Sequence, residues 1–183
     1  MRKVIAAINM TLDGYCDHTA IDPDQEIHDH YTELLRGGEV ILYGRVTYEL
    51  MEFWKPFVKK PSGERSMDDF AQAIDRIRKL VFSGTLKSVD WHSALLADRS
   101  LENAIGELKA QNGGDILVGS RSLIIQLLKL GSIDELQLCI HPVIAGSGMH
   151  LFENMNTRKM LKLERTRTFG GGAVIMYYSP IKA

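Results

Sequence analysis

The sequence predicts an α/β fold: a mixed sheet, mostly parallel, that closes on an antiparallel C-terminal hairpin and is flanked by helices. Three observations carry this expectation. Short, largely apolar runs of strand length alternate with segments of helical period over the first 130 residues; the runs end on Gly, Ser or Asn; and after Gly131 the alternation gives way to three successive strand-like stretches. Strands that are apolar throughout are buried on both faces, and helices between them supply the crossover length that parallel pairing needs.

In chain order, "KVIAAIN" (3–9) opens the sheet and "DQEIHDHYTELLR" (24–36) is the first helix. "EVILYG" (39–44) is the second strand, and "RVTYELMEFW" (45–54) starts a helix directly on its end. "KPFVKKPSGER" (55–65) holds two prolines, a glycine and several basic residues, and reads as a solvated surface loop. "SMDDFAQAIDRIRK" (66–79) has helical period, and "KLVFSG" (79–84) is the next strand. "SLENAIGELKAQ" (100–111) places Ser100 to cap Asn103, with Leu101, Ala104, Ile105 and Leu108 on one face. "DILVGS" (115–120) is a strand, and "RSLIIQLLKLG" (121–131) is the helix it feeds. "DELQLCIHPVI" (134–144), "MLKLERTRTF" (160–169) and "AVIMYYSP" (173–180) are the last strands, with "GGG" at 170–172 turning the final pair.

One domain spanning 1–183 is expected, since a chain of this length buries a substantial core. Hydrophobic residues make up 45% and charged residues 25%, the balance of a globular protein. The net charge of -1 gives no general attraction to nucleic acid or to an acidic membrane, so any anion site is local. Cys16 and Cys139 lie far apart with no CxxC spacing and read as thiols in a reducing compartment. The opening "MRKVIAAINM" is too short for a signal-type apolar region, which makes a cytoplasmic protein the expectation.

Chemistry is expected at the strand ends, where open α/β sheets place their ligands. After the second strand, Gly44 admits close approach, a helix start offers N–H groups, Arg45 adds a charged fork and Thr47 a hydroxyl. Phe82, Ser83 and Gly84 end another strand, with Thr85 and Lys87 following; Gly119, Ser120, Arg121, Ser122 and Leu123 join a third to its helix. Each junction alone is equally an ordinary turn. Three together suit a dinucleotide lying across the strand ends, although the GxGxxG fingerprint is absent. No metal is expected: His28 and His30 are two apart on a helix and diverge. Tyr31, Trp54 and Phe57 are either walls for a planar substrate or core aromatics.

"GRVTYE" (44–49), "LVGSRSLIIQLLKLGSIDELQLCIHPVIAGSGMHLF" (117–152) and "NMTLDGY" (9–15) together resemble the dihydrofolate reductase superfamily, and most of all its branch containing the reductase domain of the riboflavin-biosynthesis deaminase-reductase, the RibD C-terminal domain. The resemblance implies a sheet of about eight strands, NADPH as cofactor, a small-molecule substrate and a homodimer. It implies that Arg45 and Thr47 hold phosphates and that Phe82, Ser83 and Gly84 lie along the adenosine. Gly119 to Leu123 would meet the pyrophosphate, and Ala7 and the Asp13–Gly14 loop would lie by the nicotinamide. Thr11, Tyr31 and Trp54 would face the substrate, and Asp13 and Asp29 are the candidate proton donors. The implied activity is hydride transfer to a planar heterocycle such as 5-amino-6-(5-phosphoribosylamino)uracil. The alternatives are a dihydrofolate reductase and a protein that holds NADPH without turnover. Two positions depart from the pattern: His28 stands where folate reductases carry an acid, and Ser120 where the family often has a second glycine.

Overall fold

A computed structural model describes residues 2–153 and 155–181. Its strands are β1 (Val4–Thr11), β2 (Gly38–Gly44), β3 (Arg78–Phe82), β4 (Ala94–Leu96), β5 (Asp115–Val118), β6 (Glu135–His141), β7 (Leu161–Thr168) and β8 (Val174–Pro180). Its helices are α1 (Gln25–Gly37), α2 (Arg45–Met51), α3 (Lys55–Lys59), α4 (Arg65–Arg76), α5 (Leu101–Ala110) and α6 (Arg121–Lys129). The strands form one sheet in the order β4-β3-β2-β5-β1-β6-β8-β7. β8 alone runs against the other seven, inserted between β6 and β7 and antiparallel to both. The β7–β8 turn closes where Gly172 takes φ 86, a left-handed conformation that costs a glycine little.

Period-two alternation along the central strands divides the core between two faces. Val4, Ala6, Val40, Leu42, Ile116 and Val118 pack with Ile105 and Leu108 of α5 and Ile124 and Leu127 of α6. Ile5, Ile41, Tyr43 and Leu117 face the other way, against Leu35 of α1, Ile74 of α4 and Trp91. α1 and α5 begin on side-chain caps: Asp24 Oδ1 accepts from Ile27 N at 3.0 Å, and Ser100 Oγ from Asn103 N at 3.3 Å.

Four expectations change. Residues 55–59 form the short helix α3, because Pro56 fits a helical first turn and Phe57 packs 5.3 Å from Phe53 and 6.1 Å from Trp54, centroid to centroid. The helix expected over 66–79 ends at Arg76, and Arg78 and Lys79 belong to β3. The strand expected over 134–144 stops at His141, since Pro142 has no N–H to continue the ladder. β4 is a strand that three residues of sequence did not reveal. It is held by Lys79 N donating to Ser93 O at 2.7 Å and Ala97 N donating to Val81 O at 2.8 Å. The Lys79 side chain beneath it is fully buried. Its Nζ donates to Ser93 Oγ at 2.7 Å and Ile77 O at 3.0 Å, and sits 4.0 Å from the Trp91 ring centroid.

The parallel connections gather the chemistry. β4, β3, β2 and β5 are contiguous, so their C-terminal ends lie side by side on one rim, next to those of β1 and β6. α2, α5 and α6 begin at that rim. α1 and α4 run back from it toward the starts of β2 and β3, which leaves their N-termini there too.

Candidate active site

The β2 and β5 junctions are tied together directly. Leu42 pairs with Val118, and two residues on, Gly44 N donates to Ser120 Oγ at 2.8 Å. Ser120 is buried. Its hydroxyl therefore does not crowd the rim as an added side chain would; it closes the gap between two strand ends. On the other side of β2, Gly44 pairs with Phe82 at the end of β3. Unlike α1 and α5, neither α2 nor α6 has a side-chain cap, so their first-turn N–H groups face the rim without one. A Cβ added at Gly44 would lie 3.3 Å from Ser122 Oγ, and one at Gly119 would press on the Tyr43 ring at 3.1 Å. Both spaces are tight, so a side chain at either position would have to push its neighbour aside by a few tenths of an ångström.

Between the end of β3 and the starts of α5 and α6 opens a cleft of about 340 Å³, lined by Phe82, Ser83, Gly84, Arg99, Ser122 and Leu123 among others. Five of these six were expected from the sequence. Arg99 was not, and its absence follows from β4: with that strand unrecognised, the β4–α5 connection did not register as a fourth junction. A base immediately ahead of the Ser100 cap was the available signal. Arg99 pairs with Asp98 at 2.7 Å and with Glu107.

The two arginines expected to grip phosphate are differently placed. Arg45 bonds Glu49 one turn along α2 at 2.9 Å, an exposed pair that a stronger anion can displace. Arg121 is a strut: Nε donates to His150 O at 2.5 Å and Nη2 to Glu153 at 3.1 Å, fastening α6 to the loop after β6. Both contacts hold its guanidinium on that loop, and Arg121 is not among the residues that line the cleft. Thr47 is half-buried on the first turn of α2.

The proton-donor candidates also move. Asp13 receives the Thr11 hydroxyl at 2.6 Å and the N–H groups of Ala145 and Gly146 at 3.1 and 2.7 Å. The Thr11 hydrogen bond, with help from these amides, holds the carboxyl ionised, down to about 2. Asp13 is a clamp between two loops rather than an acid poised for neutral pH. Thr11, fully buried, serves the same clamp and also accepts from Tyr15 N at 3.1 Å. Asp29 follows Ile27, which packs in the core, by two residues; on a helix that is about 200° around, and Asp29 is half-buried there.

Tyr31 resolves toward the core, packed with Ile27, Cys139 and Tyr177. Its hydroxyl donates to Asn9 Oδ1 at 3.0 Å, and His141 Nε2 lies 3.0 Å from the same oxygen. Burial pushes the Tyr31 phenol well above its ordinary range and the His141 imidazole below its own. Asn9, two residues beyond half-buried Ala7 on the α1-facing side of β1, was missed because an Asn closing a strand reads as a turn signal. His28 and His30 diverge as expected. His30 packs among Phe169 and Tyr177, where burial and then Arg167 lower its pKa to about 4.

Trp54 packs against the core on one side and lines a groove on the other. A groove of about 660 Å³ runs between the N-termini of α1 and α4, lined by residues 22–25 and 64–67 together with His28, Phe53 and Trp54. Trp54 stacks against Phe70 at 4.6 Å, and the His28 ring meets it edge-on at 5.6 Å.

An eight-stranded sheet with one reversed strand, joined to a cleft across contiguous strand ends, defines a dihydrofolate-reductase-like domain of the RibD type. The chain belongs to the RibD C-terminal domain family, whose profile matches residues 2–175. It is 34% identical over 185 residues to the uncharacterized protein YyaP of Bacillus subtilis, covering 97% of this chain and 94% of that one. Among solved structures, a putative riboflavin biosynthesis protein from Shewanella sp. PV-4 superposes with a TM-score of 0.73 at 17% identity, covering 100% of both chains. A pyrimidine reductase-like protein from Corynebacterium diphtheriae gives 0.73 at 18% identity, covering 100% of this chain and 93% of that one. The Thermotoga maritima diaminohydroxyphosphoribosylaminopyrimidine deaminase/5-amino-6-(5-phosphoribosylamino)uracil reductase gives 0.64 at 16% identity, with 98% of this chain matched to 57% of that one.

Proposed function

We propose that this chain is an NADPH-dependent reductase that delivers hydride to a planar heterocycle. The observation that carries the reading is the row of contiguous strand ends at which α2 and α6 start uncapped beside a cleft lined by Ser83, Arg99 and Ser122. Hydroxyls, backbone N–H groups and guanidinium groups make a donor set suited to a phosphorylated cofactor, and the tight spaces at Gly44 and Gly119 bring backbone rather than side chain to the rim. NADPH, when bound, supplies the hydride. The protein's part is to hold and orient: the first turn of α6 and Ser122 toward the pyrophosphate, Arg45 and Thr47 toward phosphate, and Phe82 to Gly84 along the adenosine. Ala7 and Asn9 face the nicotinamide side. Leu12 and Ile144 stand exposed on two loops that join where Leu12 N donates to Val143 O at 2.9 Å. A small-molecule substrate, a cytoplasmic setting and a homodimer belong to the same reading.

Calorimetric titration with NADPH and NADH tests it. Arg45→Ala should weaken NADPH by roughly 1.5 to 3 kcal/mol if a charge-assisted phosphate contact is lost, less about 0.3 to 0.5 kcal/mol for the Glu49 pair that the wild type breaks. NADH should lose much less if that contact is to the 2′-phosphate. Failure of the wild-type protein to bind either nucleotide would overturn the proposal.

A further inference from the structure

Half of the Asn9 side chain is committed and half is free. Its Oδ1 accepts from the Tyr31 hydroxyl at 3.0 Å, and His141 Nε2 lies 3.0 Å from the same oxygen. Two donors on one oxygen fix which end of the carboxamide faces them, and they put the imidazole proton on Nε2. The Nδ2 amide, with two N–H groups, meets no acceptor among the described residues. Nor is it sealed from solvent, as the orphaned Thr32 Oγ1 and Gln137 Oε1 are. His141 is buried, while Asn9 is half-buried.

The place of that free end gives it a use. Asn9 shares the α1-facing side of β1 with Ile5 and Ala7 and pairs with Cys139 near the rim end of β6. It lies about 7 Å beyond Ala7 along the strand. A planar acceptor stacked on a nicotinamide beside Ala7 therefore extends past Asn9. The groups around it carry no charge at neutral pH. Burial pushes the Tyr31 phenol well above its ordinary range and the Cys139 thiol up to about 12, and it holds the His141 imidazole below its own range although Asp24 pulls it upward. Asp13 is already ionised, so this floor offers a hydrogen bond rather than a transferable proton.

Resting on the reductase reading, we infer that Asn9 Nδ2 hydrogen-bonds the carbonyl oxygen of a conjugated C=C–C=O acceptor, with Tyr31 and His141 as the positioning residues that aim it. When hydride from bound NADPH bonds to the β carbon, the C=C π pair shifts to join the α carbon to the carbonyl carbon, and the C=O π pair moves onto oxygen. The negative charge so formed lies where Nδ2 donates. The α carbon then takes a proton from water, leaving the saturated carbonyl compound, NADP⁺ and hydroxide. A neutral donor held in place suits a charge that appears only as the hydride moves.

NMR of the ¹⁵N-labelled full chain tests the inference with coumarin, a planar conjugated lactone, against 2H-chromene, which has the same ring C=C and no carbonyl. In protein saturated with NADP⁺, where binding occurs without turnover, coumarin should shift the Asn9 side-chain NH₂ pair and 2H-chromene should not. Asn9→Asp keeps an oxygen for Tyr31 and His141 but turns the free donor into an acceptor. It should bind coumarin about tenfold more weakly and, with NADPH, reduce it about 10²- to 10³-fold more slowly. Tyr31→Phe should still bind both probes and discriminate less between them, whereas a purely structural role would weaken both alike. An NH₂ pair that coumarin leaves in place, equal shifts and affinity for 2H-chromene, a wild type that binds coumarin without reducing it, or full activity in Asn9→Asp would each overturn the inference. The first three need no variant. Backbone signals in the same spectra keep the two readings apart: failure of NADP⁺ to shift the Gly44 and Ser122 N–H groups refutes the reductase, and NADP⁺ binding without coumarin selectivity refutes the role of Asn9 alone.

Discussion

Ser120→Ala removes one oxygen from a buried position and tests whether this serine closes the rim. Ser120 Oγ accepts from Gly44 N at 2.8 Å and is the link between the β2 and β5 ends. Alanine keeps the Cβ and deletes only the acceptor, so the Gly44 N–H loses its partner in a part-buried setting. A hydrogen bond contributes about 1 kcal/mol net, and leaving a buried donor unmade costs about 1 to 3 kcal/mol. A loss near 2 kcal/mol lowers the melting temperature of a domain of this size by roughly 4 to 8 °C. Ser122→Ala is the control: that hydroxyl is exposed, and its loss should stay within about 0.5 kcal/mol. Both variants are compared with wild type by differential scanning calorimetry. If Ser120→Ala melts within a degree of wild type, or if Ser122→Ala is the more damaging change, the link does not carry the load described here.

Two further outcomes follow from buried or clamped charge. Burial lowers the Lys79 ammonium from 10.5 to about 8, so the unfolded chain holds this proton more tightly than the folded one. Stability should rise between pH about 8 and 10.5, by about 3 kcal/mol if no other group intervenes, and Lys79→Met should flatten that rise in urea melts across the window. A wild type whose stability is flat or falling there, with the variant parallel to it, would contradict the assignment. Asp13→Asn deletes the carboxylate that receives the Ala145 and Gly146 N–H groups, and hydrogen exchange at those two amides should quicken while the central strands keep their protection. In the wild type the clamp should hold as pH falls through 3.8 and open as it nears about 2, because the folded carboxyl is depressed. Unaltered exchange in the variant would mean that the loops hold without it.

Much of the architecture was legible because its signals are local. Ser100 capping Asn103, the glycine turn before β8, and the alternation of apolar strands with amphipathic helices each act over a few residues, and the structure reproduces all three. β4 was not legible: three residues give no periodicity, and its place depends on Lys79 and Val81 of a strand already formed. Arg99 was lost with it. Arg45 and Arg121 look alike in sequence, each following a Gly or Gly-Ser at a helix start, yet one pairs within its own helix and the other reaches residues 29 and 32 positions away.

The sequence by itself determined the segments: which stretches are strands and helices, where glycines and hydroxyls follow strand ends, and that the total charge is near zero. Tertiary structure decided the company each segment keeps. It placed β8 against the grain between β6 and β7, joined Gly44 to Ser120 across 76 residues, turned Asp13 into a clamp on a loop 132 residues away, and drew Asp22, Asp24 and Glu64 around Trp54. The reason is one of range. Backbone conformation and side-chain periodicity are set by near neighbours, whereas the ionisation, burial and partners of a side chain are set by whatever the fold packs against it.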